Sequence, residues 1–201
     1  MMKIVDLGLQ NYEATWQAMR AFNEQRTVIT DDELWVVEHE PVYTLGLNGK
    51  LEHLLNAGEI PVVNCDRGGQ VTYHGPGQVV IYTLLDVQRL RLNARSLVTL
   101  LEQAMIKTLA QFDIEATSRP DAPGVYINGQ KIGSIGLRIK KQGCYHGLSL
   151  NNAMDLQPFN NINPCGYSDL KVTQLSDLGV IICYKSLADS LTHAITSLLK
   201  I

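Results

Sequence analysis

Residues 124–139 read GVYINGQKIGSIGLRI, two runs of strand-forming residues separated by Asn128-Gly129. A two-residue hairpin turn needs positive φ at both central positions, and Asn-Gly meets that need at little cost, so the two runs must pair antiparallel. A second reversal at Lys141, Gln142 and Gly143 sends the chain back through Tyr145 to Leu150. Short apolar runs at residues 3–7, 34–37, 42–45, 60–63 and 78–85 read as further strands. Tyr12, Trp16, Met19 and Phe22 recur at helical spacing, as do Leu97, Leu101, Met105 and Leu109 behind Ser96 as a cap. A third helix begins near Ser186 and carries Leu187, Leu191, Ala194 and Leu198 on one face. Residues 51–56 suggest a turn or two of helix, and residues 152–170, rich in Asn and Pro, read as loop. Hairpins interspersed with helices predict an α+β (mixed α/β) fold with a largely antiparallel sheet and flanking helices. No repeat or linker interrupts the 201 residues, so one domain over 1–201 is expected.

Composition narrows the classes of function. No run approaches about 18 consecutive apolar residues, and the first residues, MMKIVDLGLQNYEATW, have neither a basic nor an apolar leader region. A cytoplasmic protein without membrane attachment is expected. Residues 1–60 carry four basic and ten acidic side chains and residues 61–201 thirteen and ten, so the net charge of -3 gives no nucleic-acid signature. The clusters Arg89, Arg91, Arg95 and Arg138, Lys140, Lys141 are either solvated faces or contacts for an acidic partner. Cys65, Cys144, Cys165 and Cys183 lack the spacing of a zinc site or a disulfide framework and read as free thiols.

The chemistry concentrates in two places. Residues 67–77, RGGQVTYHGPG, bring glycines together with Arg67, Thr72, Tyr73 and His74 directly ahead of a strand. They match neither G-x-x-x-x-G-K-[ST] nor G-x-G-x-x-G, and Gly133-Ser134-Ile135-Gly136 is not a G-x-S-x-G elbow, so phosphate-loop and serine-hydrolase chemistry are disfavoured. A plain turn and a ligand-binding loop both remain open for this segment. Cys65 and Cys183 lie in apolar runs that suggest buried, inert thiols, and Cys144 follows a turn. Cys165 stands between Pro164 and Gly166 in the loop, where a nucleophile has room, with Lys131, Lys171, His74 and His146 as candidate partners for a thiolate.

Four segments in order, RGGQVTYHGPGQVVIY, GVYINGQKIGSIGLRI, YHGLSLNN and DLQPFNNINPCGYSDLKVTQL, closely resemble the lipoyl(octanoyl) transferases, also called the lipoate-protein ligase B family. The resemblance runs from about Trp35 to Leu175. It implies the catalytic-domain fold of biotin and lipoate ligases, and transfer of an octanoyl group from acyl carrier protein to a lysine of lipoyl domains, without ATP, cofactor or metal. The acceptors it implies are the lipoyl domains of 2-oxoacid dehydrogenase complexes and the glycine cleavage H protein. It also implies that Cys165 forms a thioester and that Lys131 lowers the thiol pKa. Substrate contacts are implied for Arg67, Gly68, Gly69, Gln70, Val71, Thr72, Tyr73 and His74, for Ser134, Ile135 and Gly136, and for Gly147, Leu148 and Ser149, with His146 as possible support. Ser149 stands where the family often has Ala, and Asn152 where it often has an apolar residue. An ATP-dependent lipoate or biotin ligase of the same fold and a non-catalytic acyl-carrier-binding module are the alternatives.

Overall fold

The structure, a computed structural model, describes residues 2–200 apart from the side chain of Cys165. Along the chain run β1 (Met2–Gln10), α1 (Tyr12–Gln25), β2 (Asp32–His39), β3 (Val42–Leu45), β4 (Val62–Asn64), β5 (Val71–His74), β6 (Gln78–Asp86) and α2 (Ala94–Ala110). There follow β7 (Thr117–Ser118), β8 (Gly124–Ile127), β9 (Gln130–Lys140), β10 (Gly143–Asn151) and α3 (Tyr184–Leu199). The main sheet has the order β1-β2-β6-β10-β9-β8-β7, and a small sheet has the order β4-β3-β5. Each sheet contains one parallel pair, β1 with β2 and β3 with β4, and its other pairs are antiparallel. The Asn128-Gly129 turn joins β8 to β9 with φ of 49° and 80° at the two residues, as the sequence requires.

Every residue of β6 is buried, because helices cover both faces of the sheet there. Val79, Ile81 and Leu85 face a core built with Leu97, Leu101 and Met105 of α2 and Leu187, Leu191 and Ile195 of α3. Val80, Tyr82 and Leu84 face the opposite side, toward Met19 and Trp16 of α1 and Tyr145 of β10. A separate cluster of Tyr43, Leu45, Val71, Tyr73, Phe159 and Ile162 joins the small sheet to the residues 154–162 segment.

Three local expectations need correction. Helix α2 starts at Ala94, capped by Asn93 rather than Ser96: Ser96 N donates to Asn93 Oδ1 at 2.9 Å and Asn93 N donates to Ser96 Oγ at 2.9 Å. The serine is the reciprocal partner three residues into the helix. Helix α3 starts at Tyr184, which leaves Cys183 exposed as its cap residue, its thiol 3.1 Å from the Ser186 hydroxyl, instead of buried in a strand. The loop at residues 152–170 contains short 3-10 turns at Gln157–Asn161 and Pro164–Gly166. Of the basic clusters, Arg89 is committed internally, bonding Asp32 at 2.8 Å and the Val28 and Thr30 carbonyls, and Lys140 pairs with Glu24 at 3.3 Å. Among the described residues no helix is long and apolar enough to cross a membrane.

Candidate active site

A cleft with about 570 Å³ of space, open solvent included, lies between the small sheet and strands β6, β9 and β10. Of the residues expected at the site, Arg67, Gly69, Gln70, Val71, Thr72, His74, Lys131, Ser134, Ile135, Gly136, His146, Gly147, Leu148 and Ser149 line it. Two do not. Gly68 lines an adjoining cleft with Leu137 and Pro123, and its N–H is bonded to the Leu137 carbonyl at 2.9 Å. Tyr73 belongs to the small-sheet core beside Tyr43 and Phe159. Tyr12, Val80, Tyr82 and Pro164 complete the lining. The first three were legible only as packing residues, since neither helical spacing nor alternation along a strand says which face meets a cavity.

The glycine-rich segment is held by its arginine. Arg67 Nη2 donates to the Thr44 carbonyl at 2.6 Å and the Gln70 carbonyl at 2.7 Å, Nε donates to Thr44 Oγ1 at 3.1 Å, and Nη1 donates to the Gly68 carbonyl at 3.0 Å. A guanidinium with its donors so engaged folds the loop over β3 and fixes the backbone that faces the cleft. At the far wall Gly147 lets β10 approach β6, since a Cβ there would run into the Ile81 carbonyl oxygen.

Lys131 reaches the cleft through a register shift. Val125 pairs with Gly133 while Tyr126 pairs with Lys131, so Ile132 is an extra residue in β9. A β-bulge places two successive side chains on one face. Ile132 lies in the helical core, and a Cβ on Gly133 would touch Met105 Sδ of the same core. Lys131 is thereby turned to the face shared by Ser134 and Gly136. Its side chain is buried: Nζ donates to the Pro123 carbonyl at 2.9 Å and lies 5.3 Å from the Tyr126 ring centre. Gly124 makes room both for this path and for the β9 backbone: φ is +140°, and a would-be Cβ would run into the Gly133 carbonyl oxygen and lie 2.8 Å from Lys131 Cε. The Lys131 backbone also ties down the residues after Cys165, donating to the Lys171 carbonyl at 2.8 Å and accepting from Thr173 N at 2.9 Å. The Cys165 backbone lies in the 3-10 turn Pro164–Gly166, whose Pro164 borders the cleft; the Cys165 side chain lies outside the described residues.

Opposite stands a carboxylate that sequence reasoning missed. Asp66 accepts from Trp16 Nε1 at 2.7 Å, from His146 Nε2 at 3.0 Å and from the Tyr145 hydroxyl. Burial pushes its carboxyl up, but these three bonds outweigh it and hold the group well below the usual carboxylate range. Neighbouring strand residues normally point to opposite faces, yet Tyr145 and His146 reach the same carboxylate. His146 has φ at +61°, and that left-handed kink brings its ring against Tyr145, with centroids 5.1 Å apart. Burial lowers the His146 pKa, with Asp66 opposing, and its Nδ1 is buried without a hydrogen-bond partner. His74 differs: its Nδ1 bonds Gln78 Oε1 at 2.6 Å, it stacks on Tyr12, and burial takes its pKa down to about 3. His39, bonded to the Tyr82 hydroxyl at 2.6 Å, is brought down to about 4 by burial. Among the described residues no group of three His, Cys, Asp or Glu side chains is placed to hold a metal ion.

A mixed sheet with helices on both faces is the fold of solved lipoate and biotin protein ligases. The structure superposes on a lipoate-protein ligase A solved with ATP at a TM-score of 0.83, covering 99% of this chain and 85% of that one at 13% identity. On the biotin protein ligase of Aquifex aeolicus the TM-score is 0.60, covering 98% and 68% at 13% identity. Residues 11–196 match the family described as the lipoyl protein ligase A/B catalytic domain. An octanoyltransferase of Laribacter hongkongensis is 57% identical over 94% of this chain and 92% of its own. The chain belongs to the lipoyl protein ligase A/B catalytic-domain family and, within it, to the octanoyltransferases.

Proposed function

We propose that this chain moves an octanoyl group from the thioester of an acyl carrier protein to a lysine of a lipoyl domain, in two displacements through a thioester on Cys165. The whole chain acts as one catalytic unit, in the cytoplasm. The observation that carries the reading is the buried Lys131, aimed by the β9 bulge into a cleft that Pro164, immediately ahead of Cys165, helps to enclose. The relatives' name, octanoyltransferase, supports the choice of acyl group.

Exchange of one thioester for another nearly conserves free energy, so the first displacement needs no nucleotide. The Lys131 ammonium favours the Cys165 thiolate by charge; the thiolate adds to the carrier's acyl carbonyl, and Lys131 gives its proton to the departing carrier sulfur. In the second displacement the neutral Lys131 amine is able to take a proton from the incoming lysine nitrogen as the amide forms. Val71, Val80, Ile135 and Leu148 give the cleft an apolar wall, and each buried CH₂ of the acyl chain contributes about 0.8 kcal/mol. Ser134, Gly136 and Gly147 leave that wall without bulky side chains in the chain's path.

Incubation of the purified chain with octanoyl-loaded carrier protein, without nucleotide, should add one octanoyl mass that hydroxylamine removes. Cys165→Ser should acquire none. A label on Cys165→Ser would refute the thioester, and transfer that demands ATP would select the ligase alternative.

A further inference from the structure

Counting protons across the proposed cycle exposes a second requirement. The acceptor lysine arrives as an ammonium and leaves as an amide N–H, so its nitrogen sheds two protons. Lys131 surrenders one proton to the carrier sulfur in the first displacement and so recovers only one in the second. One further acceptor is needed in each turnover.

The titratable side chains described around the cleft are Tyr12, Arg67, His74, Tyr82, Lys131 and His146. Arginine does not deprotonate, and burial raises both tyrosines, so none of these three is a base near neutral pH. His74 is bonded through Nδ1 to a neutral amide, which leaves a proton gained there without a compensating charge. His146 alone in this set has a carboxylate on its ring. Because Asp66 is ionised it can only accept, so His146 Nε2 carries the hydrogen and Nδ1 presents a lone pair, buried and without a partner.

We propose that His146 is a catalytic residue of the second displacement, its Nδ1 taking the first proton from the acceptor lysine, with Asp66 as the positioning residue that fixes its tautomer and compensates the imidazolium. The freed amine then adds to the thioester carbonyl and the carbon–sulfur bond to Cys165 breaks. The second proton on nitrogen passes to Lys131, and the Cys165 thiolate and Lys131 ammonium are restored. His146 releases its proton to water before the next turnover. The left-handed φ at His146 fits this assignment: it is a backbone cost that joins Tyr145 and His146 on one carboxylate, an arrangement a regular strand forbids. Around the ring stand Asp66, the stacked Tyr145, Tyr82 at 6.2 Å between ring centres, and the charges of Arg67 and Arg138, both of which disfavour the imidazolium. Asp66 is the opposing charge.

This assignment rests on the double displacement through Cys165, and the two are tested at different steps. If the wild-type chain acquires no octanoyl mass, both fall at acylation. Otherwise the octanoyl-enzyme is isolated and mixed with a lipoyl domain or with hydroxylamine, a nucleophile that is uncharged at neutral pH and has no ammonium proton to shed. His146→Gln should slow transfer to the lipoyl domain about a hundredfold, while cleavage by hydroxylamine changes less than threefold. The defect should shrink as pH rises and deprotonates the acceptor lysine in solution. Asp66→Asn should show the same split in milder form, and it carries the test if His146→Gln fails to fold. Wild-type transfer by both variants, or equal slowing toward both nucleophiles, would overturn the proposal.

Discussion

Gly124→Ala should disable the chain far more than the loss of a surface glycine would. Its φ of +140° lies where an L side chain is strained, at a cost of about 1–3 kcal/mol. For a domain of this size each kcal/mol lowers the melting temperature by about 2–4 °C, so a fall of about 2–12 °C is expected. The new methyl would also run into the Gly133 carbonyl oxygen, which strains the β8–β9 pairing further, and sit 2.8 Å from Lys131 Cε and 3.0 Å from Nζ; a Lys131 displaced by about 1 Å should cost roughly a hundredfold in rate. Gly129→Ala is the control for the positive-φ strain alone. Its φ is +80°, but nothing lies within 4 Å of the added methyl, so it incurs backbone strain of the same order without touching Lys131. Calorimetry and the initial rate of octanoyl-enzyme formation, measured on both variants, separate the two effects. A lower melting temperature for Gly124→Ala than for Gly129→Ala, with only Gly124→Ala slow in acylation, is the expected pattern. Acylation by Gly124→Ala at the wild-type rate, or equal slowing in Gly129→Ala, would refute the argument that Gly124 is there for the lysine.

Other consequences follow from the buried charges and caps. Arg26 and Asp32 are bonded at 2.9 Å with side chains 1% and 5% exposed, and Asp32 keeps Arg89 at 2.8 Å when Arg26 is lost; Arg26→Met should therefore lower the unfolding free energy by about 1–3 kcal/mol, read from the urea midpoint. His39 and His74 titrate near 4 and 3 in the folded chain and near 6.5 when unfolded, so below pH 6.5 the unfolded state binds more protons. Stability should therefore be flat above about pH 7 and fall toward pH 4 by up to about 1.4 kcal/mol per pH unit for each histidine; an unchanged urea midpoint between pH 7.5 and 5 would remove this account. Asn93→Ala should cost about 1 kcal/mol, and Ser96→Ala, which loses the reciprocal bond but keeps the Asn93 cap, should cost less.

The β8–β9 and β9–β10 hairpins and all three helices are legible in local spacing because hairpin turns and amphipathic stripes are short-range properties. Asn128-Gly129 and the Leu97, Leu101, Met105 stripe need no tertiary information to be read. The parallel pairing of β1 with β2 is invisible to such reasoning, since it depends on where α1 returns the chain. The exposure of Cys183 was misread for a related cause: GVIICY has the composition of a strand, yet Ile181 is fully exposed in it, and the helix that follows begins one residue after the thiol. Asp66 escaped notice because a single aspartate ahead of a glycine-rich loop has no pattern of its own. Its partners Trp16, Tyr145 and His146 come from two other elements.

What sequence periodicity misplaces most consequentially are the two side chains on which the proposed chemistry depends. Strict alternation from Gly133 and Ile135 would turn Lys131 into the helical core, and alternation from Cys144 and Leu148 would do the same to His146. An inserted Ile132 reverses the first, and a left-handed φ reverses the second. Neither irregularity serves the sheet: the first shifts the β8–β9 register, and at the second Tyr145 and His146 drop out of the pairing with β6 while keeping that with β9. Each is held in place by bonds that act elsewhere: the residues 171–173 segment on the Lys131 backbone, and Thr83 Oγ1 donating to the His146 carbonyl at 3.1 Å. Two independent departures from the strand rule, both delivering a proton-carrying side chain to one cleft, are better explained by the cleft's chemistry than by packing, since packing alone favours the regular strand at each.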